Sequence, residues 1–320
     1  MTPGATMRVR AIVNPNSSHG RTREAWPKLH AALEGSLGPV EFAFTSGQLD
    51  ATTKTREALI QGVDLIVAVG GDGTVNEVVN GFYAPPVPGG PDVPLRPQAA
   101  LALLVSGTGG DFRKTFSIGD DLHEQVRRIA DGETRAIDVG RIDYVAGDGA
   151  PGARYFINIA SFGLSGLVVG AVNGAWLSKR ISGRFAFFWA SLTSLVRYEM
   201  PRVRLRVDEQ APVEFACNTV AVCNGRYFGG GMHVGPDARP DDGLFDVVAM
   251  HDMGKLEMMK DPNAIYRGEH VKHPKVRVVR GRTVVAEPLD GEVLLDVDGE
   301  GPGRLPATFT VIPGGLQFRS

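Results

Sequence analysis

The chain has 320 residues, with 34 lysines and arginines against 36 aspartates and glutamates and a formal net charge of -2. A length of this order suggests about two domains, each able to bury a core, and the balanced charge gives no reason to expect a nucleic-acid partner. The 41 glycines and 21 prolines fall between apolar segments, so they read as turns and exclude a disordered chain.

The N-terminus lacks a long apolar core and does not read as a signal peptide. Arg8–Val13 predicts a first strand, followed by the polar loop Asn14-Pro-Asn-Ser-Ser-His-Gly20 and a helix through Trp26, Leu29 and Leu33. Val40–Phe44 predicts a second strand with Thr45 at its end, and Thr52–Gln61 a second helix. Leu65–Val69 is a short, wholly apolar run, the pattern of a strand buried on both faces. Gly70, Gly71 and Gly73 then turn the chain, and Val75, Val78, Val79 and Phe82 recur at helical spacing. A strand, a glycine turn and a helix leave amides and the positive end of a helix dipole pointing at one spot, which is an anion site. An ordinary glycine-rich turn is the plainer alternative. Three glycines around Asp72, with Thr74 and Asn76 following, exceed what a tight turn needs and favour phosphate binding.

The alternation of strands and helices predicts a parallel, doubly wound sheet whose ligands sit at the carboxyl ends of its strands. Asn14, Thr45 and the Gly70–Thr74 turn all occupy such ends. Pro85–Pro97 reads as a surface loop. Ala99–Val105 predicts another buried strand, ending in a second glycine turn, Ser106-Gly-Thr-Gly-Gly-Asp-Phe112, before a polar helix near Leu122–Ala130.

Around Ile137-Asp-Val-Gly140 the pattern changes to short strands: Tyr155–Ala160, Arg202–Val207, Thr219–Val222, Leu244–Met250, Val276–Val279, Val293–Val297 and Thr308–Ile312. A boundary near residue 137 follows, with a β-rich second domain after it. Phe185–Val196 is the exception, with Phe185, Phe188, Trp189, Leu192 and Leu195 on one helical face, read as core or as the lining of an apolar cleft. It is too short to span a bilayer, which needs about 20 residues. Arg202, Arg204 and Arg206 alternate with Val203, Leu205 and Val207, a solvated face in preference to one that meets lipid headgroups. If Cys217 and Cys223 share a strand they are roughly 20 Å apart, beyond disulfide reach. With no metal-binding cysteine pattern, a reducing cytoplasm fits best.

Several phosphate motifs are absent: the P-loop, the His-Arg-Asp and Asp-Phe-Gly elements of protein kinases, and the dinucleotide fingerprint, which fails at Asn76. Gly70-Gly-Asp-Gly-Thr74 with Asn76 and Glu77 instead resembles the nucleotide loop shared by diacylglycerol, sphingosine and NAD kinases and phosphofructokinases. Asn14-Pro15 with Ser17, Ser18 and Gly20, then Gly107-Thr-Gly-Gly-Asp-Phe112, then Asn224-Gly-Arg-Tyr-Phe-Gly-Gly-Gly-Met232, resemble further elements of one branch. Pro236, Ala238, Asp241-Asp-Gly-Leu-Phe-Asp246, Gly268-Glu-His270 and Asp298-Gly-Glu300 extend the series in family order across nearly the whole chain. The pattern is similar to the soluble bacterial diacylglycerol and lipid kinases.

That resemblance implies an α/β + β architecture. A Rossmann-like nucleotide-binding domain (1–137) would be followed by a β-sandwich-like lipid-substrate domain (138–305). A last strand (306–320) would return to the first domain, and the active site would lie in the interdomain cleft. ATP would contact Asn14, Pro15, Asn16, Ser17, Ser18, Thr45, Gly70, Gly71, Asp72, Gly73, Thr74, Val75, Asn76 and Thr108. Glu300 matches the general base. Asp242 matches the ligand of a structural Mg2+, helped by the carbonyls of Arg239 and Leu244.

The residues fit such chemistry on physical grounds. Phosphoryl transfer asks for a clamped triphosphate, a positioned hydroxyl and neutralised charge. A carboxylate beside the hydroxyl takes its proton. Asp298 and Glu300 would share a face of an extended strand, one taking the proton while the other tunes it or holds a metal; Asp-Gly is equally a turn signal. Asp72 sits among phosphate-binding amides and suits a metal link or an orienting hydrogen bond. Asp241-Asp242-Gly243 could be a plain hairpin turn, and His270 with His273 reads as surface polarity in preference to a zinc site. Gly110 departs from the family's asparagine. Losing one neutral hydrogen bond costs about 0.5–1.5 kcal/mol, enough to weaken nucleotide binding or alter the loop without abolishing catalysis.

The expectation is an ATP- and Mg2+-dependent kinase of a lipid hydroxyl, with diacylglycerol as the acceptor. The alternatives are a kinase of sphingosine- or ceramide-like alcohols and a catalytically idle nucleotide- or lipid-binding module. Its partner would be a lipid at the membrane surface, reached from the cytoplasm by transient contact with the membrane's inner face. A homodimer stays open.

Overall fold

The structure, a computed structural model, describes residues 7–105, 110–174 and 198–320. The chain divides into two compact units. The first comprises the residues through Pro86, Gly90–Asp138 and Gly314–Ser320, and the second comprises Val87–Gly89 and Val139–Pro313. The sequence pattern places these divisions at 137/138 and 305/306.

In the first unit the elements run β1 (Val9–Val13), α1 (Arg21–Leu37), β2 (Val40–Phe44), α2 (Asp50–Ile60), β3 (Leu65–Val69), α3 (Asp72–Gly81), β4 (Ala100–Leu104), α4 (Asp111–Thr115) and α5 (Leu122–Asp131). The strands pair in parallel in the order β2-β1-β3-β4. Gln317 and Phe318, near the end of the chain, extend the sheet beyond β4, also in parallel. Every residue of β3 and β4 is buried, because helices cover both faces and leave no side for polar residues. On one face Val9, Ala11, Val13, Leu65, Val67 and Val69 pack against Trp26, Leu29 and Leu33 of α1 and Val126 and Ile129 of α5. α2 is tied to α3, where the Glu77 carboxylate accepts from the Ala51 amide at 3.1 Å and the Thr52 hydroxyl donates to the Glu77 carbonyl at 2.8 Å.

The second unit opens with β5 (Thr134–Ala146), whose start still belongs to the first, and continues through β6 (Pro151–Phe156), β7 (Ile159–Gly163), α6 (Leu164–Gly174), β8 (Arg202–Val207), β9 (Val213–Cys223), β10 (Tyr227–Phe228), β11 (Met232–His233), β12 (Phe245–His251), β13 (Val276–Gly281), β14 (Thr283–Pro288), β15 (Leu295–Val297) and β16 (Gly303–Arg319). Its pairings are antiparallel: β13 with β12, β12 with β9, β9 with β8 and β7, β8 with β14, β14 with β16, and β7 with β15. The core between them is aliphatic and aromatic. Phe156 stacks on Phe245 with ring centres 5.5 Å apart, and Phe162 on Phe309 at 6.2 Å.

Several strands differ from the pattern read in the sequence, among them β5, which it did not offer. The single run Tyr155–Ala160 is broken into β6 and β7 at Ile157-Asn158. β14 is hidden by its closing Pro288. β16 runs far beyond Thr308–Ile312, because Pro306, Pro313 and Gly314-Gly315 punctuate its alternation without ending the strand. Arg202, Arg204 and Arg206 are exposed while Val203, Leu205 and Val207 are buried. Arg204 pairs across strands with Glu214 at 2.8 Å and Glu287 at 3.4 Å, and Arg202 with Glu214 at 3.4 Å. That face is a solvated surface on which Arg202 and Arg204 are paired with acids.

Cys217 and Cys223 both lie in β9 as buried free thiols. Burial pushes Cys217 up to about 12 and Cys223 well above its ordinary value, so neither forms a reactive thiolate at neutral pH. The apolar stretch Phe185–Val196 lies outside the described residues. Among the described residues no helix is long and apolar enough to cross a membrane.

Candidate active site

The first glycine turn is built where β3 ends and α3 begins. Gly70 must lack a side chain, since a Cβ there would lie 2.5 Å from the Thr74 hydroxyl oxygen. Gly71, the N-cap of α3, supplies no side-chain cap, and a Cβ on it would meet nothing within 4 Å. Among the described residues nothing crowds Gly71 at the start of α3, as a cradle for phosphate requires. Gly73 is exposed, whereas Thr74, Val75 and Asn76 are buried. Val75 and Asn76 back the turn from inside, and the Asn76 side-chain oxygen accepts from Asn80 at 3.3 Å.

The loop after β1 meets this turn. The Asn14 amide nitrogen donates to the Thr74 hydroxyl at 3.1 Å, while its side-chain oxygen accepts from the Asn16 backbone at 3.0 Å. The Asn14 backbone donates to the Val69 carbonyl at 2.9 Å, and the buried Thr45 donates its backbone N–H to Val13 at 2.8 Å. The Ser17 hydroxyl donates to the Asn14 carbonyl at 2.9 Å. Pro15 is buried, Asn16 exposed, and Ser17 and Ser18 half-buried. Asn14, Ser17, Thr45 and the Gly70–Thr74 turn thus gather at one edge of the first unit's sheet.

Asp72 is half-buried at the start of α3. Its carboxylate accepts the consecutive amides of Gly110, Asp111 and Phe112 at 3.2, 2.8 and 3.3 Å, where α4 begins. It links the first glycine turn to the end of the second, an orienting role of the kind the sequence offered for Asp72. Gly110 has φ of 105°, and a Cβ there would press within 2.9 Å of the Arg113 side chain and 3.0 Å of Val105. A side chain at this position would be strained by this backbone. Thr108, with the rest of residues 106–109, lies outside the described residues.

The second unit contributes a different turn. Asp298 and Gly299 have φ of 50° and 89°. Val297 and Glu300 exchange backbone hydrogen bonds of 2.8 and 3.0 Å around them. This is a two-residue hairpin with positive φ at both central positions, for which Asp-Gly is a preferred pair. Asp298 therefore sits within a reversal that Glu300 closes, and the two do not share the face of an extended strand, as their spacing alone suggested. The Asp298 carboxylate accepts from the amides of Ile157, Asn158 and Ile159 at 2.9, 3.1 and 3.0 Å. Those amides lie where the chain leaves β6 and enters β7, Ile159 being the first residue of β7. Asp298 holds the turn in place with both oxygens, and Glu300 is the half-buried acid the turn presents.

Two further groups lock this turn. Asp296 accepts the Gly299 amide at 2.9 Å and lies 3.3 Å from the Ser161 hydroxyl, directly across the β7–β15 pair. It is 3% exposed, and burial pushes its carboxyl up to about 7; the Gly299 amide and Ser161 hydroxyl oppose that push, and the Asp298 and Glu300 charges add to it. The Asn224 side chain donates to the Ile157 carbonyl at 2.6 Å, and Asn158 donates to the Tyr227 carbonyl at 2.8 Å. Neither Asp296 nor the Ile157–Ile159 amides stood out in the sequence. The only signal was an acid two residues before Asp-Gly, a spacing at which a side chain can cap the turn.

The Asp242 loop lies elsewhere in the second unit. Asp242 accepts the Leu244 amide at 3.1 Å on one oxygen, and its other oxygen is paired with the guanidinium of Arg280. Arg239 places its own guanidinium 3.3 Å from Asp241. Among the described residues no group of three or more acidic, histidine or cysteine side chains could hold a metal ion. An arginine already seated on the proposed ligand oxygen does not fit a divalent cation there. His270, read as surface polarity, is buried; its ring lies 3.1 Å from the Val234 carbonyl, and burial lowers its basicity.

Comparison with known proteins agrees with these parts. Residues 8–142 match the diacylglycerol kinase catalytic domain, and residues 158–319 match the YegS C-terminal NAD kinase beta sandwich-like domain. A diacylglycerol kinase of Staphylococcus aureus is 30% identical over 306 residues, covering 94% of this chain and 89% of its own. One from Staphylococcus saprophyticus is 28% identical over 303 residues, covering 94% and 92%. A solved diacylglycerol kinase from Bacillus anthracis shares the fold with a TM-score of 0.70 at 23% identity, covering 98% of this chain and 96% of its own. An NAD kinase from Archaeoglobus fulgidus, solved with ATP, shares it at 0.51 and 15%, covering 98% and 94%. With a nucleotide-type glycine turn in one unit, a presented carboxylate in the other and relatives along its length, the chain belongs to the diacylglycerol kinase family and is an ATP-dependent kinase with an alcohol acceptor.

Proposed function

We propose that this kinase transfers the γ-phosphate of ATP to the free hydroxyl of diacylglycerol, giving phosphatidic acid and ADP. The observation that carries the reading is Glu300, held at the exit of a hairpin turn that Asp298 fixes through three backbone amides. As the acceptor oxygen forms its bond to the γ-phosphorus, the Glu300 carboxylate takes the hydroxyl proton, and the bond to the β-phosphate oxygen breaks to release ADP. On the first unit the open start of α3, with Gly71, Gly73 and Thr74, holds phosphate through backbone N–H groups, and Asn14 and Ser17 complete the loop beside it. The donor is the magnesium complex of ATP, the metal arriving with the nucleotide and not resident on the Asp242 loop. The curated relatives' name supports diacylglycerol over other lipid alcohols. Because such an acceptor resides in a bilayer, transient contact with the membrane's inner face is part of the proposal.

The test is an assay with labelled ATP and vesicles carrying, in turn, diacylglycerol, sphingosine, ceramide and monoacylglycerol. Phosphatidic acid formed well above the Glu300→Gln background, and abolished by chelating magnesium, is the expected result. Equal turnover of every alcohol would overturn the assigned acceptor, and no lipid phosphate with any of them would overturn the reaction.

A further inference from the structure

The loop Asp241-Asp242-Gly243-Leu244 precedes β12, and Asp246 is the second residue of that strand. Asp246 is 2% exposed and stands directly opposite Arg280 in the antiparallel β12–β13 pair. The register therefore delivers the guanidinium to one place. Its Nε lies 2.9 Å from Asp246 Oδ1, and its Nη2 is paired with Asp242 Oδ2. One arginine bridges two carboxylates, one of them buried. The remaining Asp242 oxygen accepts the Leu244 amide at 3.1 Å. Two carboxylates thus meet at one guanidinium, and their mutual repulsion calls for a cation at this place.

A divalent ion and a guanidinium are alternative solutions to that problem. Magnesium demands near-octahedral oxygen donors at about 2.0–2.1 Å, so it cannot share Asp242 Oδ2 with a hydrogen-bonded arginine. The guanidinium is charged at every accessible pH and offers a planar fork of donors able to reach two acids at once. We propose that Arg280 is the built-in counter-ion of this loop, occupying the place that a structural divalent cation would take, so that the second unit folds and holds its Asp242 turn without bound metal. This does not rest on the catalytic reading, and it separates any metal requirement of the reaction from the architecture of the second unit.

The experiment uses the full chain without nucleotide, stripped with EDTA and dialysed, then followed by thermal unfolding and metal analysis at constant ionic strength. The wild-type protein should retain no metal after dialysis, and its Tm should not respond to EDTA or to millimolar Mg2+ or Ca2+. Arg280→Gln removes the charge and leaves Asp242 and Asp246 facing each other; it should gain a divalent-dependent rise in Tm of roughly 2–4 °C. Arg280→Lys should remain indifferent to metal, and Arg280→Gln combined with Asp242→Asn should lose the gain. An Arg280→Gln protein that folds only with divalent metal present would support the proposal equally. One equivalent of metal retained by the wild type and lost in Asp242→Asn would overturn it. So would a wild-type Tm that falls with EDTA and recovers with Mg2+, or a folded Arg280→Gln protein blind to metal. Should Arg280→Gln not fold under any condition, the two wild-type measurements decide the matter by themselves.

Discussion

The Gly70–Thr74 turn of the first unit and the Asp298–Glu300 turn of the second use one device for opposite ends. In each, an aspartate beside glycine accepts three consecutive backbone amides: Gly110–Phe112 for Asp72 and Ile157–Ile159 for Asp298. In the first unit the acid ties a second glycine turn to the first. In the second the acid anchors a hairpin whose next residue, Glu300, is the one presented. An anionic triphosphate calls for amides and no carboxylate in its path, whereas a hydroxyl to be deprotonated calls for a carboxylate that does not wander. The comparison teaches that an acid embedded in a family motif need not be the acid that acts. Three amide hydrogen bonds mark a carboxylate as scaffold.

The largest effect should come from Glu300. Glu300→Gln should lower kcat by about 10²–10⁴-fold, with KM for ATP and the Tm unchanged. A loss of this size in Asp72→Asn but not in Glu300→Gln would reverse the roles assigned to the two turns.

Next in size is the pH response of Asp296. Its carboxyl titrates at about 7 in the folded protein against an ordinary 3.8, so the folded state keeps a proton that the unfolded chain releases between those values. The stability this group contributes is fully present below the unfolded value and is lost as pH rises to about 7. Asparagine cannot ionise and can still accept the Gly299 amide. Asp296→Asn should therefore be more stable than wild type by about 2–4 kcal/mol at pH 8, and denaturant titrations should show that advantage vanishing near pH 4. An advantage of the same size at both pH values would show that the carboxyl is not the titrating group.

The smallest expected effects distinguish the two anchoring acids. Asp298→Ala and Asp72→Ala each strand three amides and should each cost about 1–3 kcal/mol of stability. Their kinetic signatures should part: Asp298→Ala lowering kcat through a displaced Glu300, Asp72→Ala raising KM for ATP through a loosened phosphate turn. Steady-state kinetics giving both variants the same signature would break the contrast between the turns.

Much of the first unit was legible in the sequence. β1, β2, β3, β4 and the helices α1, α2, α3 and α5 follow from uninterrupted apolar runs and helical spacing, because a strand covered on both faces leaves no room for polar residues. The second unit was less so. Its strands are short and half-exposed, β14 and most of β16 escaped the pattern, and Ile157-Asn158 reads as the middle of a strand although it is a break. Nothing local marks that break, since its cause is a carboxylate at residue 298.

By itself, then, the sequence determined the two-part architecture, the glycine turn after β3, the Asp-Gly hairpin and the resemblance to lipid kinases. These depend on neighbours a few residues away, where periodicity and turn chemistry act. Tertiary structure alone decided which acid each turn spends on backbone amides and that Asp296 is buried against the Gly299 amide. It also decided that a side chain at Gly110 would be strained and that Arg280 sits on Asp242. Each of these depends on a partner brought close by strand register or chain reversal, and no spacing along the chain encodes it.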